Sequence, residues 1–93
     1  MSRIFLFPLN NSILYRKVTL PFHIFEPRYR QMIEQSIEFK IPIAVVPLKT
    51  SGNNYEGSIC VAGIPHILHT HPDGRMDIYI TGEKKCRLLS REN

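Results

Sequence analysis

Cysteine is scarce: the 93 residues contain only Cys60 and Cys86, and no Cys-X-X-Cys spacing. A disulfide framework in a small domain needs an oxidising compartment and usually more cysteines, so two buried free thiols are expected. Long apolar runs are missing too. No stretch approaches the ~20 apolar residues a membrane-crossing helix requires. The run from Ile4 to Phe7 is too short for a secretory h-region, and Pro8 interrupts it. A cytoplasmic, reducing location with no membrane partner is the expectation. No Gly-x-x-x-x-Gly-Lys-Ser/Thr run is present, so no loop that cradles nucleotide phosphates is visible. There is no internal repeat and no low-complexity segment.

What is there reads as an ordinary small globular domain. Hydrophobic residues make up 43% and charged residues 22%, both near globular averages, so disorder is not the default. One domain is the natural prior at this length. The formal charge of +4 comes from 12 Lys and Arg against 8 Asp and Glu. That balance permits an acidic partner without demanding one. The cations are dispersed, apart from Arg16-Lys17 and the group Lys84, Lys85, Arg87 and Arg91.

Patterning places the elements. Ile4 to Phe7 suits a short buried strand, and Leu9 to Arg16 a connection. Val18 to Phe25 is rich in β-branched and aromatic residues. Its alternation sets Leu20, Phe22 and Ile24 on one face and Pro21, His23 and Phe25 on the other. Pro21 lacks an N–H, which points to an edge strand or a bulge. Glu26-Pro27 opens a helix running to about Phe39, because proline is tolerated in the first turn. Tyr29, Met32, Ile33, Ser36 and Ile37 give that helix one apolar face. Ile41 to Leu48 is nearly continuous in apolar residues, which suggests a strand buried on both faces. Gly57 to Ile64 is a further strand, with Pro65 as a break or bulge. Pro72-Asp73-Gly74 is turn chemistry, so residues 59–81 read as a hairpin. Gly82 is a break, and Cys86 to Leu89 starts a last strand. The fold class that follows is mainly β (α+β), a small, partly open barrel with one inserted helix.

The segment Leu20-Pro21-Phe22-His23-Ile24-Phe25-Glu26-Pro27-Arg28-Tyr29-Arg30-Gln31-Met32-Ile33 resembles the hallmark segment of Lon protease amino-terminal, substrate-binding domains. Phe5 to Asn10, Gly57 to Ala62, and Pro72 to Arg75 followed by Gly82 and Arg87 are similar to further parts of that family. The resemblance implies a PUA-like pseudo-barrel and a non-catalytic role. Family members bind unfolded or damaged polypeptide and hand it to an ATPase-protease. It also implies that Pro21, Phe25, Glu26, Pro27, Arg28 and Tyr29 are mainly structural. Tyr15-Arg16-Lys17 stands where the family commonly has a proline-glycine turn. Residues 1–93 are expected to form one domain, incomplete relative to the family, with no helical bundle. An open strand edge would then favour self-association or a partner chain, such as an ATP-dependent protease.

Candidate chemistry is thin. The family's serine–lysine dyad belongs to another domain, so no enzyme activity and no cofactor are expected. His69 and His71 share a strand face, with Asp73 or Asp77 as an oxygen donor for zinc. His66 has the opposite parity, and exposed hairpin histidines without metal are the expectation. His23 reads as a packed strand residue. Ile13, Leu14, Tyr15 and Tyr55 are candidate anchors for a polypeptide, beside the alternative that they cap the barrel ends. A PUA-like RNA-binding module is the other functional reading. Its patch would be Lys84, Lys85, Arg87 and Arg91, with Tyr79 or Tyr55 stacking on a base.

Overall fold

The computed structural model describes residues 3–9, 12–48, 55 and 57–88. In chain order the elements are β1 (Phe5–Leu9), β2 (Thr19–Ile24), α1 (Pro27–Phe39), β3 (Ile43–Pro47), β4 (Ile59–Gly63), β5 (Pro65–Thr70), β6 (Met76–Thr81) and β7 (Lys84–Arg87). They build two open sheets, ordered β1-β3-β4-β7 and β2-β6-β5. The mainly β, partly open architecture with one helix is therefore observed.

Strand β3 lies inside the four-stranded sheet and is buried on both faces, as its continuous apolarity predicts. Ile43 and Val45 join one core with Phe7, Leu14, Ile24, Ile33, Met76, Ile78 and Ile80. Ala44 and Val46 join a second, smaller core with Tyr55 and Ala62. Ile33, Ile43, Ile78 and Ile80 are 0% exposed. Each such side chain contributes about 1.5–3 kcal/mol through burial. Strand β1 runs parallel to β3, with Phe5 opposite Ile43 and Leu9 opposite Pro47. It extends through Pro8 instead of ending there, because an edge strand has one side whose N–H groups need no ladder partner.

Helix α1 begins where Glu26 adopts an extended conformation, φ −76° and ψ 131°, and Pro27 takes the first helical position. Tyr29 and Arg30 both donate backbone N–H bonds to the Glu26 carbonyl, at 3.0 Å each. The helix ends at Lys40, which is left-handed at φ 56° and returns its N–H to the Ser36 carbonyl. Ser36, the polar member of the apolar stripe, is fully buried. Its hydroxyl donates to the Ile41 carbonyl at 2.5 Å, which removes the cost of a buried polar group.

The hairpin differs from its sequence expectation. Strands β4 and β7 pair antiparallel in one sheet, from Ile59 opposite Arg87 to Ala62 opposite Lys84. Strands β5 and β6 continue the same ribbon in the other sheet. It is thus one long hairpin, bent between the sheets at Ile64 and at Gly82-Glu83. The bend needs close backbone approach. A Cβ at Gly63 would lie 2.0 Å from the Thr81 carbonyl oxygen, and one at Gly82 2.0 Å from that of Tyr15. Gly82 also donates to Val18 O at 3.0 Å and accepts from Lys17 N at 2.8 Å. The corner at Tyr15–Val18 is pinned by these bonds, with Lys17 left-handed at φ 66°. The last strand starts at Lys84, two residues before its expected position.

Candidate functional site

The outer face of the β2-β6-β5 sheet collects most of the chemically distinctive side chains. On β2, the inward set Leu20, Phe22 and Ile24 leaves Thr19, Pro21 and His23 outside. On β6, Met76, Ile78 and Ile80 are buried, so Asp77, Tyr79 and Thr81 face out. Cross-strand pairing then aligns Thr19 with Thr81, Pro21 with Tyr79, and His23 with Asp77. Thr19 and Thr81 share a hydroxyl hydrogen bond of 2.7 Å. β2 is an edge strand, which satisfies the constraint set by Pro21.

Strand β5 forms the opposite edge. Its register against β6 shifts between Ile67 and His69, so Leu68 is an extra, bulged residue. His66 sits opposite Tyr79 and His69 opposite Asp77. The bulge therefore puts His66 and His69 on the same face, which corrects the parity argument made from sequence alone. Only Pro65 of β5 is buried; the five residues from His66 to Thr70 are exposed. Leu68 is 63% exposed and rims a shallow depression with Pro21, Phe22, His23, Asp77 and Ile78.

Asp77 is the hub of this face. Its Oδ1 lies 2.6 Å from His23 Nδ1, and its Oδ2 lies 2.9 Å from His71 Nε2. These two hydrogen bonds, with His23 first, hold the Asp77 carboxyl below its ordinary pKa. The rings of His23 and His71 are 5.7 Å apart, and those of His69 and His71 are 4.6 Å apart and edge-on. His23 is thus a partly exposed member of a polar cluster rather than a packed residue. Sequence reading missed it because it lies far from the hairpin histidines along the chain. The turn is braced separately. Arg75 bonds Asp73 through its backbone N–H at 3.1 Å and its Nε at 2.7 Å. Arg30 of α1 reaches the Asp73 carbonyl at 3.0 Å.

The other sequence candidates fall in two groups. Leu14 is 2% exposed and Tyr55 5% exposed, and each is packed in one of the two cores. The Tyr55 hydroxyl also donates to the Pro47 carbonyl at 2.7 Å. Ile13 and Tyr15 are 54% and 61% exposed. Within the hallmark segment, Arg28 donates to Glu26 at 2.9 Å and lies 4.6 Å from the centre of the Tyr29 ring. Tyr29 meets Phe7 at 4.8 Å, whereas Phe25 is 60% exposed. Lys84, Lys85 and Arg87 are exposed on β7. Of the two expected stacking partners, Tyr55 is buried, and Tyr79 is half-buried with His66 stacked parallel to it at 4.9 Å. Arg91 lies outside the described residues. Cys60 and Cys86 are free, only half-buried, and directly opposed. Burial, and secondarily Cys86, pushes the Cys60 thiol pKa up. Among the described residues no helix is long and apolar enough to cross a membrane.

Residues 3–93 match the model of a family described as the ATP-dependent protease La (LON) substrate-binding domain. Among solved structures, a Lon N-terminal domain protein from Xanthomonas campestris is similar with a TM-score of 0.73 and 18% identity. The match covers 94% of this chain and 49% of that one, so this chain spans about half the length of the structure it matches. At that identity the likeness is one of fold.

Proposed function

This chain belongs to the Lon substrate-binding domain family, and we propose that it is a non-catalytic module that binds unfolded polypeptide in extended form. The observation that carries the reading is the character of β5. It is a sheet edge, it contains no Lys, Arg, Asp or Glu, and its residues from His66 to Thr70 are exposed. An edge strand offers unpaired backbone groups on one side, and an added strand would complete the ladder. Ile67 and Leu68, 41% and 63% exposed, supply apolar contacts beside those groups. The far edge, β7, is different. Lys84, Lys85 and Arg87 discourage strand addition there, the ordinary protective use of charge on an edge. Ile13 and Tyr15 form a second exposed apolar contact for a longer client. The ATPase and peptidase steps would belong to a partner module of the family type.

The test is a backbone amide NMR titration with a permanently unfolded polypeptide, with single-stranded RNA as the control. Shifts at residues 66–70, weakly dependent on salt and lost in Leu68→Lys, are the expected result. No shift with polypeptide, or shifts with RNA alone centred on residues 84–87, would overturn the reading.

A further inference from the structure

Two imidazoles and one carboxylate meet on the outer face of the β2-β6-β5 sheet, each from a different piece of the fold. His23 comes from β2, Asp77 from β6, and His71 from the turn that follows β5. Their ligand atoms all lie within 4.8 Å of one another. We propose that His23, His71 and Asp77 form a binding site for a divalent transition metal of the zinc class.

Three physical features support it. The first is the donor set. Two imidazole nitrogens and one carboxylate oxygen suit zinc or its first-row neighbours, whereas magnesium and calcium prefer oxygen alone. The second is distance. Zinc bonds of roughly 2.0–2.2 Å at tetrahedral angles separate ligand atoms by about 3.3 Å. His23 Nδ1 lies 2.6 Å from one Asp77 oxygen and His71 Nε2 2.9 Å from the other, both just below that value. With one ligand atom taken from each residue, all three fall within 4.8 Å, a spread that side-chain rotation can close around an ion. The third is preorganisation. His23 and Asp77 are opposed in the β2–β6 register. His71 is fixed by a turn in which its N–H donates to Arg75 O at 2.7 Å and its carbonyl accepts from Gly74 N at 2.9 Å. The backbone, not loop flexibility, thus sets where the three donors meet.

The two hydrogen bonds to Asp77 hold the three groups together in the absence of metal, but only weakly. The partners are 29–43% exposed, and exposed pairs of this kind add little stability. The same exposure leaves a fourth coordination position for water. A bound ion would tie edge strand β2 to the hairpin turn across β6, so it would stabilise the folded chain in proportion to metal concentration.

The experiment uses the tag-free chain after chelator treatment. Cobalt(II) is titrated by visible absorption and zinc by competition against cobalt. The expected result is one ion per chain, a raised melting temperature, and zinc-induced shifts of the His23 and His71 imidazole resonances but not those of His66. Asp77→Asn and His71→Asn should each weaken binding at least tenfold, and His66→Asn should leave it unchanged. Binding that survives Asp77→Asn but is lost in Cys60→Ser would place the ion at the thiol pair and overturn the proposal. So would the absence of any saturable one-to-one binding. Should Asp77→Asn fail to fold, the imidazole shifts of the unaltered chain still decide between these outcomes.

Discussion

Replacing Gly82 by alanine tests how the two sheets are joined. The new Cβ would lie 2.0 Å from the Tyr15 carbonyl oxygen and 2.9 Å from Val61 Cγ1. The former contact is about 1.5 Å inside a comfortable ~3.5 Å separation. The crowding atom is backbone and cannot rotate aside. Relief requires the Tyr15–Val18 corner to move away from Gly82, which breaks the bonds from Lys17 N and to Val18 O. Overpacking of this kind costs about 1–3 kcal/mol, and two lost backbone hydrogen bonds about 1 kcal/mol each. Reduced freedom of the unfolded chain returns about 0.4–1 kcal/mol. The net expectation is a loss of about 2–5 kcal/mol, or a fall of roughly 8–40 °C in Tm. Urea unfolding followed by circular dichroism measures it, with Gly57→Ala as the control. Gly57 is left-handed at φ +82° and has nothing within 4 Å of a Cβ. Only the conformational cost applies there, about 1 kcal/mol. A Gly82→Ala variant within about 0.5 kcal/mol of the parent, near the scatter typical of neutral surface changes, would refute the reasoning.

Further outcomes follow from single groups. Ser36→Ala leaves the Ile41 carbonyl without its hydroxyl donor and should cost about 1–3 kcal/mol in the same urea assay. Cys60, its pKa raised above an ordinary thiol's 9.0, holds less thiolate at a given pH. Its alkylation by iodoacetamide, followed by mass spectrometry, should be slow at pH 8 and keep accelerating above pH 9.0. Asp73 is lowered below its ordinary 3.8, first by the Arg75 backbone N–H. A depressed carboxyl stabilises the fold above the unfolded value and loses that contribution as pH falls through the folded one. Asp73→Ala should therefore flatten the loss of stability in the acid range just below 3.8, measured by urea unfolding across pH.

Much of the fold was legible because single-strand patterns report burial directly. The unbroken Ile43–Val46 run signalled two-sided burial, and the alternation of β2 told its faces apart. Pro21 marked an edge or a bulge, and the structure shows an edge, while Glu26-Pro27 marked a helix start. The family was legible from the hallmark segment that spans those two elements. What stayed hidden depends on partners distant in sequence. Pro65 marked a break or bulge and Gly82 a break, but nothing local to them says that a ribbon changes sheets there. The Leu68 bulge is set by the β6 register, so the faces of His66 and His69 could not be read by counting. The His23–Asp77–His71 cluster exists only because β2 pairs with β6. Leu14 and Tyr55 lie outside any periodic stretch of the sequence, so no pattern revealed their burial.

The pairing scheme also fixes a timetable for synthesis. The β5–β6 ribbon is local and can close as soon as its turn has emerged. β1 cannot pair until β3 exists, and β2 must wait for β6; the Thr19–Thr81 bond joins residues 62 apart. Such distant pairings carry loop-closure entropy before any contact repays it, and they fold late. Through that interval Leu20, Phe22 and Ile24 stand uncovered on a growing chain. The nascent protein then presents an extended apolar segment of the very kind proposed as the client of its finished β5 edge.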